Sequence, residues 1–302
     1  MTLFKYIYYL MVAAVLCTAV TSCDKEDDEA DIILGGGRHP VNGGGGDDDD
    51  DDRDALLEST PGKLEVPALD KRNIFIEHSS DGVMTYCLEY DTQANHSRWV
   101  AFRFDAKTRG QNVGRQDDFQ EDPKLPSQYY HGAGGFGSGH DRGHICASAD
   151  RLYSKEANRQ TFYMTNMSPQ ESRFNQDYWT GFESKVQNWG RSTSFADTLY
   201  VVKGGTLDQT KGTLTHGGKK VVIPQYYFMA ILKCKNNTYS ALGFWMEHKN
   251  YGIVDPSKTE LASKIVSIDE LEEKTGIDFF HNLPDAVENQ IEATVVKSNW
   301  GF

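Results

Sequence analysis

The sequence predicts an α+β domain with a central antiparallel-rich sheet and flanking helices. Three observations carry this. Between Asn73 and Phe104, runs rich in aromatic and β-branched residues are broken by Ser79-Ser80-Asp81-Gly82, a turn signal. From Phe174 to Trp189 the pattern is helical, putting Asn175, Trp179 and Glu183 on one face at four-residue steps. Further apolar runs then return at 198–205, 221–232 and 241–246, the spacing of a sheet resumed after a helical insertion.

Taken in order, Met1 to Lys5 is a short basic start, Tyr6 to Val20 is apolar, and Thr21-Ser22 are small residues before Cys23. This is the layout of a secretory signal, and its apolar run is shorter than the ~20 residues of a spanning helix. Small residues directly before a cysteine resemble a bacterial lipobox, which implies cleavage before Cys23 and lipidation there. The acidic run Asp24 to Glu29 is either a surface-export signal, as in some Gram-negative lipoproteins, or a solvated leader. Residues 1–22 are therefore read as signal peptide, 23–60 as a lipidated, Gly/Asp-rich flexible tether and 61–302 as the globular domain. The chain is expected at the outer membrane, cell surface or periplasm, with the lipid anchor as its membrane contact.

The tether also explains the charge. Residues 24–54 hold 13 acidic and 3 basic side chains, whereas the stretch from Ala55 onward is only −4 of the chain's net −13. The low isoelectric point thus belongs to the tail and does not argue against a polyanionic substrate, although any such binding must use a local Arg/Lys cluster. The aspartates 47–52 lack the alternation and closing Glu of an EF-hand loop and read as self-repelling linker.

In the domain, 73–78 and 84–90 read as strands and Arg98–Phe104 as an alternating third, with Trp99 or Val100 beginning one face. Residues 150–158 read as a helix with Leu152 inward, 161–165 as a strand, and 221–232 as one long strand with Pro224 marking a bulge or edge. Ser267 with Glu270 has the form of a capping box opening a short helix. Cys87, Cys146 and Cys234 permit one disulfide, whose pairing the sequence does not choose. Cys146, two residues from His144, has no CxxC or Cys/His set around it to form a zinc site and reads as a core residue. His140, His216, His248 and His281 are isolated and read as ordinary polar residues.

The chemistry concentrates in Gly139-His140-Asp141-Arg142-Gly143-His144. An imidazole can take a proton from water, a guanidinium offers a planar fork to phosphate, and the glycine permits a close backbone approach. Alone, the string is equally a polar loop with solvated charges. A second block, Asn166-Met167-Ser168-Pro169-Gln170, and a third, Asn175 with Trp179 and Glu183 four and eight residues later, follow it. In these three blocks, at this order and spacing, the sequence resembles the DNA/RNA non-specific endonuclease family of ββα-metal nucleases. The likeness extends more weakly from about Tyr86 to the C-terminus.

The resemblance implies the following roles. His144 is general base on the attacking water. Mg²⁺, or Mn²⁺ in its place, is bound directly by Asn175, with Glu183 accepting hydrogen bonds from metal-bound waters. Arg142 and a second arginine relieve developing charge. Arg115, shortly before Phe119 and Asp122-Pro123, is the better match for that arginine and Arg109 the second candidate. Asn166 supports the His144 imidazole or the loop around it. The glycine-rich loop 128–139 is expected to flex over the site. DNA and RNA are the implied substrates, with little sequence preference because phosphate contacts carry no base identity. Two other readings of the same residues are a surface lipoprotein that binds nucleic acid or glycan without cleaving it, and a phosphodiesterase acting on small substrates.

Overall fold

The computed structural model describes residues 63–137 and 139–302; the expected signal peptide, Cys23 and the tether lie outside them. Strands β1 (Ile74–Ser80), β2 (Val83–Asp91) and β3 (His96–Phe104) form an antiparallel meander. Asp81 and Gly82 link the first two at φ 53° and 71°, the left-handed pair that a two-residue turn between twisted strands requires. After an insertion that carries the site, β6 (Thr198–Gly205) pairs with β3. Strands β9 (Tyr226–Lys235), β10 (Thr238–Glu247) and β11 (Ile265–Val266) complete a seven-stranded sheet of order β1-β2-β3-β6-β9-β10-β11, antiparallel throughout.

Both faces of this sheet are covered. In β3, Val100, Phe102 and Phe104 enter one core, while Trp99 and Ala101 enter a second with Phe228, Leu271 and Phe279. The alternation is thus between two apolar faces, which is why neither Trp99 nor Val100 marks a solvent side. Burying Phe102 and Phe104 stabilises the sheet by about 1.5–3 kcal/mol each.

The site insertion contains the hairpin β4 (His140–His144) with β5 (Met167–Glu171), and the short helix α1 (Lys155–Gln160) between its strands. A π-helical turn, Phe174–Trp179, then runs into α2 (Thr180–Arg191). Helix α2 lies on the sheet through Phe182 and Val186, and Gly190 lets it close up, since a Cβ there would sit 2.4 Å from the Phe104 ring. A separate hairpin, β7 (Thr210–His216) with β8 (Lys219–Pro224), and the helices α3 (Lys258–Ser263), α4 (Ile268–Thr275) and α5 (Asp285–Glu292) complete the domain.

Three expectations about elements are corrected. The helix expected over 150–158 divides into a 3₁₀ turn, Ser148–Arg151, and α1. The Leu152 carbonyl accepts the amides of Asn112 and Val113 instead of continuing a helical ladder, Leu152 is only half-buried, and the Ser154 side chain caps the new start by accepting from the Ala157 amide. The strand expected over 161–165 is a turn leading to β5, because Asn166 spends its side chain on neighbouring backbone. The single strand expected over 221–232 breaks at Gln225 into β8 and β9, with Pro224 at the end of the edge hairpin. The Ser267 cap stands: its hydroxyl accepts from the Glu270 amide, and Gly276 closes α4 at φ 61°. All three domain cysteines are free thiols, with Cys87 and Cys146 buried.

Candidate active site

Hairpin β4–β5 pairs Asp141 with Gln170, Arg142 with Pro169 and His144 with Met167. Gly143 is required by the crossing strand, since a Cβ there would lie 2.1 Å from Gln170 Oε1. In a strand, residues two apart share a face, and Arg142 and His144 share one lined by aromatic rings. The Arg142 guanidinium stacks 3.5 Å from the Phe119 centroid and donates to the Ala133 carbonyl, tying the glycine-rich segment to the strand. The His144 ring stands edge-on to Phe162 at 4.9 Å and to Phe119 at 5.8 Å.

His144 Nε2 is buried with no hydrogen-bond partner. The residue itself is half-buried, and Nδ1 is its other ring nitrogen. Burial, joined by the positive fields of Arg115, Lys203 and Arg142, holds the imidazole well below the ordinary histidine range. At neutral pH the ring is therefore uncharged, with a lone pair to offer.

Among the described residues, the Asn166 side chain hydrogen-bonds to backbone and not to this imidazole. Fully buried, it accepts from the Cys146 amide at 2.8 Å and donates to the carbonyls of Cys146 and Thr161 at 2.8 and 2.7 Å. It clamps the chain just after His144, which makes it a positioning residue for the loop.

Asp141 orients the opposite partner. Its Oδ2 accepts from Asn175 Nδ2 at 3.0 Å and Gln176 Nε2 at 2.7 Å, and Oδ1 accepts from Ser172 at 2.9 Å. Burial raises its pKa, but these three donors outweigh it and keep the carboxyl below its usual value, hence ionised. With Nδ2 engaged, the Asn175 amide presents Oδ1, a hard oxygen donor, away from Asp141.

One helical turn past Trp179, Glu183 Oε1 accepts from Trp179 Nε1 at 3.0 Å and from Lys203 Nζ at 3.3 Å. Lys203 is fully buried on β6 and also donates to Asp150 Oδ2 at 2.9 Å. Asp150 in turn accepts from Gln187 Nε2 and the Ala147 amide. Burial raises the Glu183 pKa to about 7 although Lys203 opposes the rise, while burial at Lys203 is outweighed by Asp150 and Glu183, which keep it an ammonium. Glu183 Oε2 makes no hydrogen bond among the described residues.

The two arginine candidates separate clearly. Arg115 lies 4.8 Å over the Phe162 ring, half-exposed beside His144, with Nε on Asp117 Oδ1 at 2.7 Å. Arg109 spends its guanidinium on the carbonyls of Asp105, Ala196 and Asp197.

A hard divalent cation fits this donor set. Asn175 offers one amide oxygen and Glu183 one unbonded carboxylate oxygen, and Mg²⁺ takes few protein oxygens while keeping several waters. Sequence reasoning missed Lys203 and Asp150, which position Glu183, and the rings of Phe119 and Phe162. One signal was available: Lys203 is a lone charge inside the apolar strand Leu199-Tyr200-Val201-Val202.

A family model described as DNA/RNA non-specific endonuclease matches residues 76–286. A nuclease of Nostoc sp. is 32% identical over 219 residues, covering 70% of this chain and 76% of that protein. Nuclease C1 of Cunninghamella echinulata is 30% identical, covering 69% and 83%. Human mitochondrial endonuclease G is 28% identical, covering 66% and 68%. Among solved structures, EndoG in complex with EndoGI aligns with a TM-score of 0.62 at 20% identity, over 76% of this chain and 94% of that one, a likeness of fold. Since the family match takes in β4, β5 and α2 together with the sheet that carries them, this α+β chain with its ββα unit belongs to the DNA/RNA non-specific endonucleases, a family of metal-dependent nucleases.

Proposed function

We propose that this nuclease works as an exported, lipid-anchored enzyme in which His144 is the general base and Asn175 the direct ligand of a Mg²⁺ ion, hydrolysing DNA and RNA internally. The observation that carries the reading is the His144 ring. Its Nε2 is buried and partnerless, and the ring is held neutral beside two arginines.

A phosphodiester needs an activated water, charge relief on the phosphoryl oxygens and help for the leaving oxygen. Nδ1 of His144 takes the proton of the water. Arg115 and Arg142 face the phosphate, held by Phe162 and Phe119, and stabilise the charge that develops on it. Asp141 fixes the Asn175 amide and Lys203 fixes Glu183; together they would hold the cation. When bound, Mg²⁺, or Mn²⁺ in its place, supplies Lewis-acid stabilisation of the leaving oxygen. Departure of O3′ leaves 5′-phosphate and 3′-hydroxyl ends. The supporting groups address phosphate, so cleavage with little sequence preference is expected on both sugars. Cys23 as the acylated residue and the acidic stretch behind it support display at the outer membrane or cell surface.

The test is incubation of the purified chain with closed circular plasmid and with structured RNA, in EDTA and after Mg²⁺ is restored. Internal cutting that EDTA abolishes, Mg²⁺ rescues and His144→Ala lowers by about 10²–10⁴-fold is the expected result. Undiminished cutting by His144→Ala would remove the base from this reading. Mass analysis of the membrane-extracted protein should find acyl groups on Cys23.

A further inference from the structure

The C-terminal helices carry acidic side chains that the hydrolytic site does not use. Asp269 and Glu272 stand about one turn apart on α4 and Glu292 ends α5, and one carboxylate oxygen from each lies within 4.8 Å of the other two. Asp269 is exposed and Glu272 half-buried, whereas Glu292 is only 5% exposed. A second observation is independent of the clustering: Glu292 Oε1 is buried with no hydrogen-bond partner among the described residues. Glu272 Oε1 already accepts from the Phe279 amide at 2.8 Å. The lysine of α4, Lys274, pairs with Glu270 at 3.4 Å and lies over the Trp245 ring, so it does not answer the cluster.

Three carboxylates at this spacing, one of them out of water, cannot all stay ionised without a counter-charge. Burial raises both Glu272 and Glu292, and Asp278 and Glu288 add to the negative field at each. Either Glu292 holds a proton or a cation sits among the three. The donors are all oxygen, which selects a hard ion. The rim at Asp269 is open to water and the carboxylates come from two separate helices. Ca²⁺ accepts six to eight oxygens in irregular geometry, while Mg²⁺ demands a near-ideal octahedron.

We infer that Asp269, Glu272 and Glu292 form a Ca²⁺ site that fastens α5 to α4. Asp269 and Glu272 lie within the family match, which ends at residue 286, and Glu292 lies beyond it, so the third ligand comes from the C-terminal segment outside the match. Past α5 that segment returns Trp300 to the main core, fully buried and 5.1 Å from Trp189. The ion would pin the helix from which this return begins.

The experiment is thermal unfolding of the EDTA-stripped full chain with and without Ca²⁺, together with equilibrium dialysis against radioactive Ca²⁺. Both are run also on Asn175→Ala, to set aside the hydrolytic centre. About 1 mM Ca²⁺ should raise Tm by about 2–4 °C in the wild type and in Asn175→Ala, with one ion retained per Asn175→Ala chain and a smaller shift from equal Mg²⁺. Adding Glu292→Gln to that background should abolish both shift and retention. Asp269→Asn, on the exposed rim, carries the same expectation should Glu292→Gln not fold. A Ca²⁺ shift that survives both substitutions overturns the inference. So does an Asn175→Ala chain that retains no Ca²⁺, which would assign Glu292 as a neutral acid.

Discussion

His144 and Glu183 occupy the two arms of one ββα unit, and the fold holds them by opposite means. The imidazole ends β4 among aromatic edges, with one nitrogen buried and unanswered. The carboxylate sits on α2 with one oxygen fully engaged by Trp179 and by Lys203. The same low-dielectric surroundings push each group towards its neutral form. For the base proposed at His144 that is the wanted state, and neighbouring cations deepen it. For a carboxylate proposed to serve a cation it is the wrong state, and the fold sets a buried ammonium against it. Neutrality is thus favoured by leaving a group unpartnered, and opposed by supplying a buried partner of opposite charge.

The largest effect should come from breaking the second arrangement. Lys203→Met removes the cation but leaves Asp150 and Glu183 in the interior, and an uncompensated buried charge costs about 3–5 kcal/mol. In a domain of this size that corresponds to a fall in Tm of roughly 10 °C, read by circular dichroism. Activity should fall with it, because Glu183 loses the donor that holds it. A Lys203→Met protein as stable as wild type would mean that the triad is neutral in the native state.

This arrangement is also where the sequence was least informative. The local signals were sound: the Asp81-Gly82 turn, the Ser267 cap and strand 198–205 all lie where propensity put them. The three motif blocks converge on one hairpin and one helix. What failed were stretches whose backbone answers to distant partners. Residues 150–158 break because Leu152 bonds to the loop at 112–113, and 161–165 turn because Asn166 bonds to Cys146. Neither contact is visible within a helical or strand period. Lys203 contacts Glu183 and Asp150 across 20 and 53 residues of sequence, and no local pattern records that meeting.

A smaller effect should sharpen the contrast between the two arginines. Arg115 faces His144 over Phe162, while Arg109 holds backbone carbonyls. Losing a charge-assisted bond worth about 1.5–3 kcal/mol predicts a roughly 10- to 100-fold drop in kcat/KM for Arg115→Ala at nearly unchanged Tm. Arg109→Ala should give the reverse, a lowered Tm with kcat/KM within about twofold, since a hydrogen bond to backbone contributes to stability and not to the transition state. If Arg109→Ala were the variant that lost turnover, the assignment of the phosphate-facing arginine would be exchanged.

The smallest expected effect is a displacement along the pH axis, and it tests the first arrangement directly. A general base works in its unprotonated form, so kcat/KM of the free enzyme declines as pH falls through the base's own pKa. Burial, then Arg115, Lys203 and Arg142, all lower that value for His144, so the acid limb should lie below the ordinary ~6.5. Removing one of the lowering charges must move the limb up: Arg115→Gln should shift it towards higher pH by a fraction of a unit while reducing the plateau. Phe162→Leu, which opens the ring edge that shields His144, should shift it in the same direction because it relieves desolvation, the larger cause. A wild-type limb at about 6.5 that neither substitution moves would mean that the imidazole is solvated during turnover, and that its buried nitrogen finds a partner the free enzyme does not show.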